Sequence, residues 1–382
     1  LLALRIQIGV ALGFVSFIGI GIIVSWKAAW GIITAIPFNF VGDWNLTAIP
    51  MFLLMGFVAS EAGLTTGLFR SMRILLSWLP GGLMHANIGA STLFAATSGS
   101  SVATAATVGT VAIPQIKRYG YNEPLFLGSI AAGGTLGILI PPSINLVIYG
   151  VLTNSSVPQL YLAGFIPGFT LAALFMLIVI VACLVKPEWG GQRIHATWRE
   201  RLVSLKHLLP PLGIFLMVVG SIYAGLATPT EAAALGVFGA LILAACFRRL
   251  SFSMLREVME GTMRSTAMIM LIVIAAGFLN FVMSATGITT ALTESISGLG
   301  LSPGWMLLVV VVFYVVLGCF METLSMMIAT VPIVVPLVMQ FGFDPVWFGI
   351  FLVLMMEISL ITPPVGMNLY VVQGVRGRGP IT

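Results

Sequence analysis

The sequence predicts an all-α polytopic membrane protein arranged as an inverted repeat, each copy holding one re-entrant hairpin and one broken helix. Composition is the first observation behind that prediction. Of the 382 residues, 59% are hydrophobic and 8% charged, and the mean hydropathy is +1.11, which leaves too little polar surface to cover a soluble globule. The second is a pair of interrupted apolar runs, GGTLGILIPPSINLVIYG over Gly133 to Gly150 and LITPPVGMNLYVVQG over Leu360 to Gly374. Paired prolines remove backbone donors and clash with the preceding turn, so each run reads as two half-helices joined by non-helical backbone. The third is recurrence: Pro114, Gly120, Tyr121 and Pro141-Pro142 match Pro336, Gly342, Phe343 and Pro363-Pro364 at an offset of 222.

In chain order, apolar runs long enough to span are expected from about Ile6 to Ser25 and from Leu46 to Ala62, followed by an amphipathic segment from Leu64 to Leu79 carrying Arg70 and Arg73. From Met84 to Ile116 the chain is rich in Ser, Thr, Ala and Gly, centred on Thr97 to Ser101. Two half-length helices meeting at a polar tip fit that stretch better than one spanning helix. The broken span Pro124 to Leu152 follows, then a span from Gln159 to Val185, a charged loop from Lys186 to His207, and spans Leu208 to Ala227 and Pro229 to Cys246. A basic linker, Arg248 to Arg264, leads into a span ending near Ser284 and a short helix at Thr289 to Ser297. A second hairpin, Pro303 to Phe341 with its tip near Gly318 to Thr323, and the second broken span, Pro345 to Val375, complete the layout.

Loop charges test this layout. With both hairpins entering and leaving on one side, 16 of the 17 Lys and Arg face the same side and only Lys27 the other. That asymmetry places the common side, and the N-terminus, in the cytoplasm. The same clustering explains a pI near 9.3 without nucleic acid. Cys183, Cys246 and Cys319 lie far apart, and His85, His195 and His207 do not cluster, so neither a disulfide framework nor a His/Cys metal centre is expected. The first apolar run reads as a membrane helix and not a cleaved signal, and no soluble domain is expected.

The repeat extends upstream, where Ser60 to Thr66 resembles Ser284 to Thr290 at an offset of 224, so that Leu46 to Leu152 and residues 263–375 form the two copies, with residues 153–262 connecting them. Five spans separate equivalent points, an odd number, which inverts the second copy. Two opposed hairpins whose tips meet near the midplane give one central site open to either face in turn.

The tips supply oxygens from Ser98, Ser100, Ser101, Thr104 and Thr323, while Gly99 and Gly318 allow close backbone approach. Neutral oxygens of this kind suit a hard monovalent cation. Helix N-termini beginning after Pro142 and Pro364 offer N–H groups to an anion, so a carboxylate beside Na+ is the expected pair. Taken singly, the same Ser, Thr and Gly residues also serve close helix packing. Asn145 and Asn368 follow the proline pairs and could bridge substrate or loop backbone, or simply join helices. Glu322 and Glu357 are acids in apolar surroundings, readable as cation ligands or protonatable groups, and Glu357 equally as a structural acid. Glu61 and Glu231 read as capping or interfacial residues, and no arginine is expected at midplane depth.

The stretches SGSSVATAATVGTVAIP, GGTLGILIPPSINLVIYGVLTNSS, YLAGFIPG and EISLITPPVGMNLYVVQGV resemble the large membrane subunit of tripartite ATP-independent periplasmic (TRAP) transporters over nearly the whole chain. The resemblance implies an inverted-repeat elevator-type transporter of the bacterial inner membrane, a sodium-coupled importer of organic acids. Its implied partners are a small four-helix membrane subunit and a periplasmic substrate-binding protein. It also implies cation sites at the tips and breaks, here Ser98, Gly99, Pro141 and Ser143 in one copy and Gly318, Thr362, Pro363 and Gly366 in the other. Substrate is then assigned to Ser100, Ser101, Thr104, Asn145, Glu322, Thr323 and Asn368. Thr104 stands where relatives often carry an acid, so no carboxylate role transfers there. A further apolar span beyond Thr382 is expected from the family, and the small subunit is expected as a separate chain. Competing readings are a carrier that takes substrate directly, without a binding protein, and an intramembrane enzyme based on Glu322 or Glu357, which lacks a nucleophile and base at recognisable spacing.

Overall fold

The computed structural model describes residues 7–192, 196–298, 300–318, 321–362 and 366–377, and the regular structure among them is helical throughout. The first part holds α1 (Ile8–Ile23), α2 (Trp26–Val41), α3 (Ala48–Glu61), α4 (Leu64–Leu75), α5 (Gly82–Ser98), α6 (Ser101–Tyr119), α7 (Glu123–Thr135) and α8 (Ile144–Thr153). The middle holds α9 (Val157–Val185), α10 (Trp198–Ser204), α11 (Leu209–Tyr223) and α12 (Pro229–Cys246). The last part holds α13 (Phe252–Thr286), α14 (Ile288–Ser297), α15 (Pro303–Gly318), α16 (Thr323–Gln340), α17 (Pro345–Ile361) and α18 (Met367–Arg376). Four helices, α9, α12, α13 and α16, are each long and apolar enough to cross a bilayer, and α9 shows Leu162, Ile166, Leu177 and Val185 on its surface, as lipid contact requires.

The order α3 to α8 returns as α13 to α18, and local chemistry repeats with it. Gly63 and Gly287, both left-handed, end α3 and α13. Gly120 and Gly342, also left-handed, follow α6 and α16. Asn122 caps α7 by accepting the Leu125 N–H at 3.1 Å, and Asp344 caps α17 by accepting that of Trp347 at 2.9 Å. Ser100 likewise caps α6 and Glu322 caps α16, again 222 positions apart.

Both hairpins are helix pairs broken at the expected tips, between α5 and α6 at Gly99 and Ser100, and between α15 and α16. The first broken span unwinds over residues 139–143, between a short 3-10 turn after α7 and the start of α8. Its freed carbonyls are satisfied inside protein: Ser143 Oγ donates to Ile138 O, and the buried Tyr161 hydroxyl reaches Ser143 O at 3.5 Å. Helix α9 covers this break, its Gly164 lying so close that a Cβ would stand 2.9 Å from Leu139 O. The second break separates α17 from α18.

The two copies are tied crosswise. Tyr149 in the middle of α8 donates to Pro345 O at the start of α17 (2.6 Å), while Arg376 at the end of α18 pairs with Glu123 at the start of α7 (2.9 Å). Asn368 adds a bond from its amide to Ala131 O at 3.1 Å, joining α18 to α7. Hairpins and broken helices therefore form one interlocked body. A second layer is made by α3 packed between α12 and α13, with α1 along α13 and α11 along α12. Small residues of α12 (Ala232, Ala233, Gly236, Ala240) let it approach α3 closely.

One helix was not foreseen, and two expectations are corrected. Residues 26–41 form a helix, with Ser25 accepting the Ala28 N–H at 3.1 Å; Pro37 and Asn39 disguise it in the sequence, yet Pro37 sits within the helix. The charged loop from Lys186 to His207 contains the amphipathic α10, opened by a reciprocal Thr197 and Glu200 capping box whose hydrogen bonds hold the exposed Glu200 carboxyl below its ordinary range. The basic linker from Arg248 is helical from Phe252 onward: Ser251 caps it, and it continues unbroken into the apolar span.

Candidate functional site

A cavity of about 570 Å3 lies between the hairpin tips and the second layer. Residues opening four helices reach it: Ser100 to Ala103 at α6, Ile144 and Asn145 at α8, Glu322 to Leu324 at α16, and Met367 at α18. The opposite wall comes from α3 (Leu53, Gly56, Phe57, Ser60, Glu61) and α13 (Ser265, Met268, Ile269). Its size is that of a small-molecule site.

The first tip is built from backbone proximity. Gly99 has φ +60°, and a Cβ there would stand 3.1 Å from Pro142 O, so the tip sits directly on the first break. Gly137 meets the tip from below, where a Cβ would come within 2.5 Å of Ser100 O. Ser98 Oγ and Thr104 Oγ1 share a hydrogen bond of 2.7 Å, and Thr104 donates to Ser100 O at 2.7 Å. Those bonds fix the tip carbonyls. Asn145, 2% exposed, has an amide nitrogen with no partner, which leaves a donor available at the cavity.

The second tip carries charge. Glu322 accepts from the Ser325 N–H at 3.1 Å and from the Ser325 hydroxyl at 3.3 Å, and Thr323 Oγ1 donates to its other oxygen at 3.2 Å. Its carboxylate therefore neutralises the positive end of α16, while the first turns of α6, α8 and α18 remain free of acidic residues. Among the described residues no lysine or arginine lines the cavity.

Of the residues singled out from sequence, Ser98, Gly99, Ser100, Ser101, Asn145, Glu322 and Thr323 come together on the cavity. Thr104, Pro141 and Ser143 are buried behind the first tip. Ser143 caps α8 and Thr104 braces the loop. Gly318 packs against the Ser359 side chain, Thr362 donates to Ile358 O at 2.6 Å, and Gly366 (φ +58°) precedes α18; none of these lines the cavity. Asn368 is fully buried on Ala131 O. Pro363 lies outside the described residues. Glu357, 2% exposed, has both carboxyl oxygens without a partner and stands on α17 away from the cavity lining.

Sequence reasoning missed the α3 and α13 wall. Glu61, expected as a capping or interfacial residue, lines the cavity, as do Phe57, Ser60 and Ser265. The only signal was that Ser60 and Glu61 open the upstream repeat segment. Among the described residues no three His, Cys, Asp or Glu side chains gather, so any cation held here relies largely on hydroxyl and carbonyl oxygens.

A cavity enclosed by two helix-break-helix tips and reached by two broken helices is the architecture of a secondary transporter. Residues 1–381 match the profile of the family described as "Tripartite ATP-independent periplasmic transporter, DctM component", and the chain belongs to that family. It is 38% identical over 335 residues to the C4-dicarboxylate TRAP transporter large permease protein DctM of Pseudomonas aeruginosa, covering 87% of this chain and 78% of that protein. It is 33% identical over 336 residues to the sialic acid TRAP transporter large permease protein SiaM of Vibrio cholerae, covering 88% and 78%. The isethionate TRAP transporter permease protein DctMQ of Oleidesulfovibrio alaskensis is 33% identical over 353 residues, covering 90% of this chain and 54% of that protein. Among solved structures, the YdaH transporter of Alcanivorax borkumensis superposes with a TM-score of 0.62 at 16% identity, over 94% of this chain and 84% of that one, a likeness of fold alone. The chain is thus a large permease subunit of a transporter and not an enzyme.

Proposed function

We propose that the chain imports a small organic acid across a bacterial inner membrane, driven by co-transported Na+, receiving substrate from a periplasmic binding protein and working beside a small membrane subunit. The observation that carries this reading is the convergence of α6, α8, α16 and α18 on one cavity. Three helix ends without an acid in their first turn, with the unpartnered Asn145 amide, favour an anion, while Ser98, Ser100 and Thr323 oxygens and the Glu322 carboxylate favour a cation beside it. The relatives named above are named for C4-dicarboxylates, sialic acid and isethionate, all acids. Substrate movement is assigned to the interlocked body of α5 to α8 and α15 to α18, sliding as an elevator against α3, α12 and α13.

The test is uptake into proteoliposomes of a labelled C4-dicarboxylate and of other organic acids. Accumulation that follows an imposed Na+ gradient and requires added binding protein is the expected result. Gradient-driven uptake without binding protein would support a direct carrier instead, and uptake indifferent to Na+ would remove the coupling.

A further inference from the structure

Away from the substrate cavity, a small pocket of about 50 Å3 lies where the end of α9, the start of α5, the turn after α4 and the loop between α6 and α7 meet. That volume holds a few waters or one compact polyatomic ion. Glycines bring the chains together around it. Gly81 has φ +89°, and a Cβ there would stand 2.7 Å from Val179. Gly190 approaches Gly81 N, and a Cβ on the left-handed Gly191 would come within 2.9 Å of Tyr119 O.

Three donors and the Gln192 amide are among the polar groups of the residues lining the pocket. Arg73 lines it, and its Nε is shielded from solvent with no acceptor. Tyr121 accepts the Leu83 N–H at 3.1 Å, which leaves its own hydroxyl proton without an acceptor among the described residues. Burial raises the phenol further above neutrality, so that proton stays in place. The Gly81 N–H also finds no backbone acceptor among the described residues. Ser77 spends its proton on Ile74 O, and among the described residues no carboxylate lines the pocket. A guanidinium, a phenol and an amide converging without an acid form an anion receptor.

We infer that this pocket is a binding site for a phosphate group, held by Arg73, Tyr121 and the Gly81 amide at the base of the first hairpin. Its surroundings point to an anionic phospholipid as the source. Arg70, Lys117, Arg118 and Lys186 lie near it in sequence, and α10, joined to α4 through the Ser71 hydroxyl and Ser204 O at 2.7 Å, exposes Trp198 and Leu202 as an interfacial helix does. A phosphate here would bridge α4 to the foot of α5, and so tie the hairpin to the membrane surface.

The experiment is thermal unfolding of the purified, delipidated chain titrated with inorganic phosphate, phosphatidylglycerol or phosphatidylcholine, in the parent and in Arg73→Gln and Tyr121→Phe. Stabilisation by phosphatidylglycerol but not phosphatidylcholine, weakened tenfold or more in Arg73→Gln and severalfold in Tyr121→Phe, is expected and assigns the site to lipid. Equal stabilisation by inorganic phosphate with the same loss in the variants keeps the site and assigns it to the free ion. No stabilisation of the parent by either anion, or unchanged affinity in Tyr121→Phe and in a folded Arg73→Gln, overturns the inference. Tyr121→Phe removes a single oxygen, so it supplies the answer should Arg73→Gln not fold.

Discussion

Asn145 holds an amide nitrogen at the cavity with no partner, a cost the fold bears without structural return. Asn145→Leu is therefore expected to keep or raise thermal stability while lowering uptake at least tenfold, mainly through KM. An unfolded variant or unchanged uptake would contradict that. Ser143, fully buried, plays the opposite part: it caps α8 and binds Ile138 O. Ser143→Ala should cost about 1 to 2 kcal/mol by chemical or thermal denaturation. The Ser, Thr and Asn residues at the tips and breaks were legible in sequence because polar residues beside proline pairs are scarce within apolar runs. Which of them face the cavity was not, since Ser98 and Thr104 differ only in how the tip folds back on itself.

At the scale of elements, the first hairpin and the first break are keyed together by glycine. A Cβ at Gly137 would meet Ser100 O at 2.5 Å, whereas one at Gly128, on the neighbouring α7, meets nothing within 4 Å. Gly137→Ala should cost about 1 to 3 kcal/mol and abolish most uptake, while Gly128→Ala should be neutral or slightly stabilising, as measured by melting temperature and uptake together. Both hairpins and the first proline break could be read from the chain because each is local backbone chemistry. The helix at residues 26–41 escaped because Pro37 and Asn39 break its apolar run. The first turns of α13 escaped because Arg256, Glu257 and Glu260 look like a linker, although Arg256 and Glu260 pair at 2.7 Å along the helix face. The α3 and α13 wall of the cavity is a tertiary fact with no local signature.

For the whole molecule, the crosswise ties decide whether hairpins and broken helices behave as one body. Tyr149→Phe leaves the Pro345 carbonyl without its hydroxyl donor, and a loss of about 1 to 2 kcal/mol is expected in unfolding. The partly exposed Arg376 and Glu123 pair, at 14% and 29% side-chain exposure, should contribute less, about 0 to 1 kcal/mol. The recurrence at 222 to 224 positions foretold that the two copies resemble each other, but not that each would clasp the other's ends. The most direct test of the elevator reading is the distance between spin labels at Thr110, on α6, and Ser253, on α13, in a background without other cysteines and reconstituted in bilayers. Two distance populations, redistributed by adding Na+ together with a transported acid, are the expected result. One unchanging distance under conditions where the same preparation transports would contradict it.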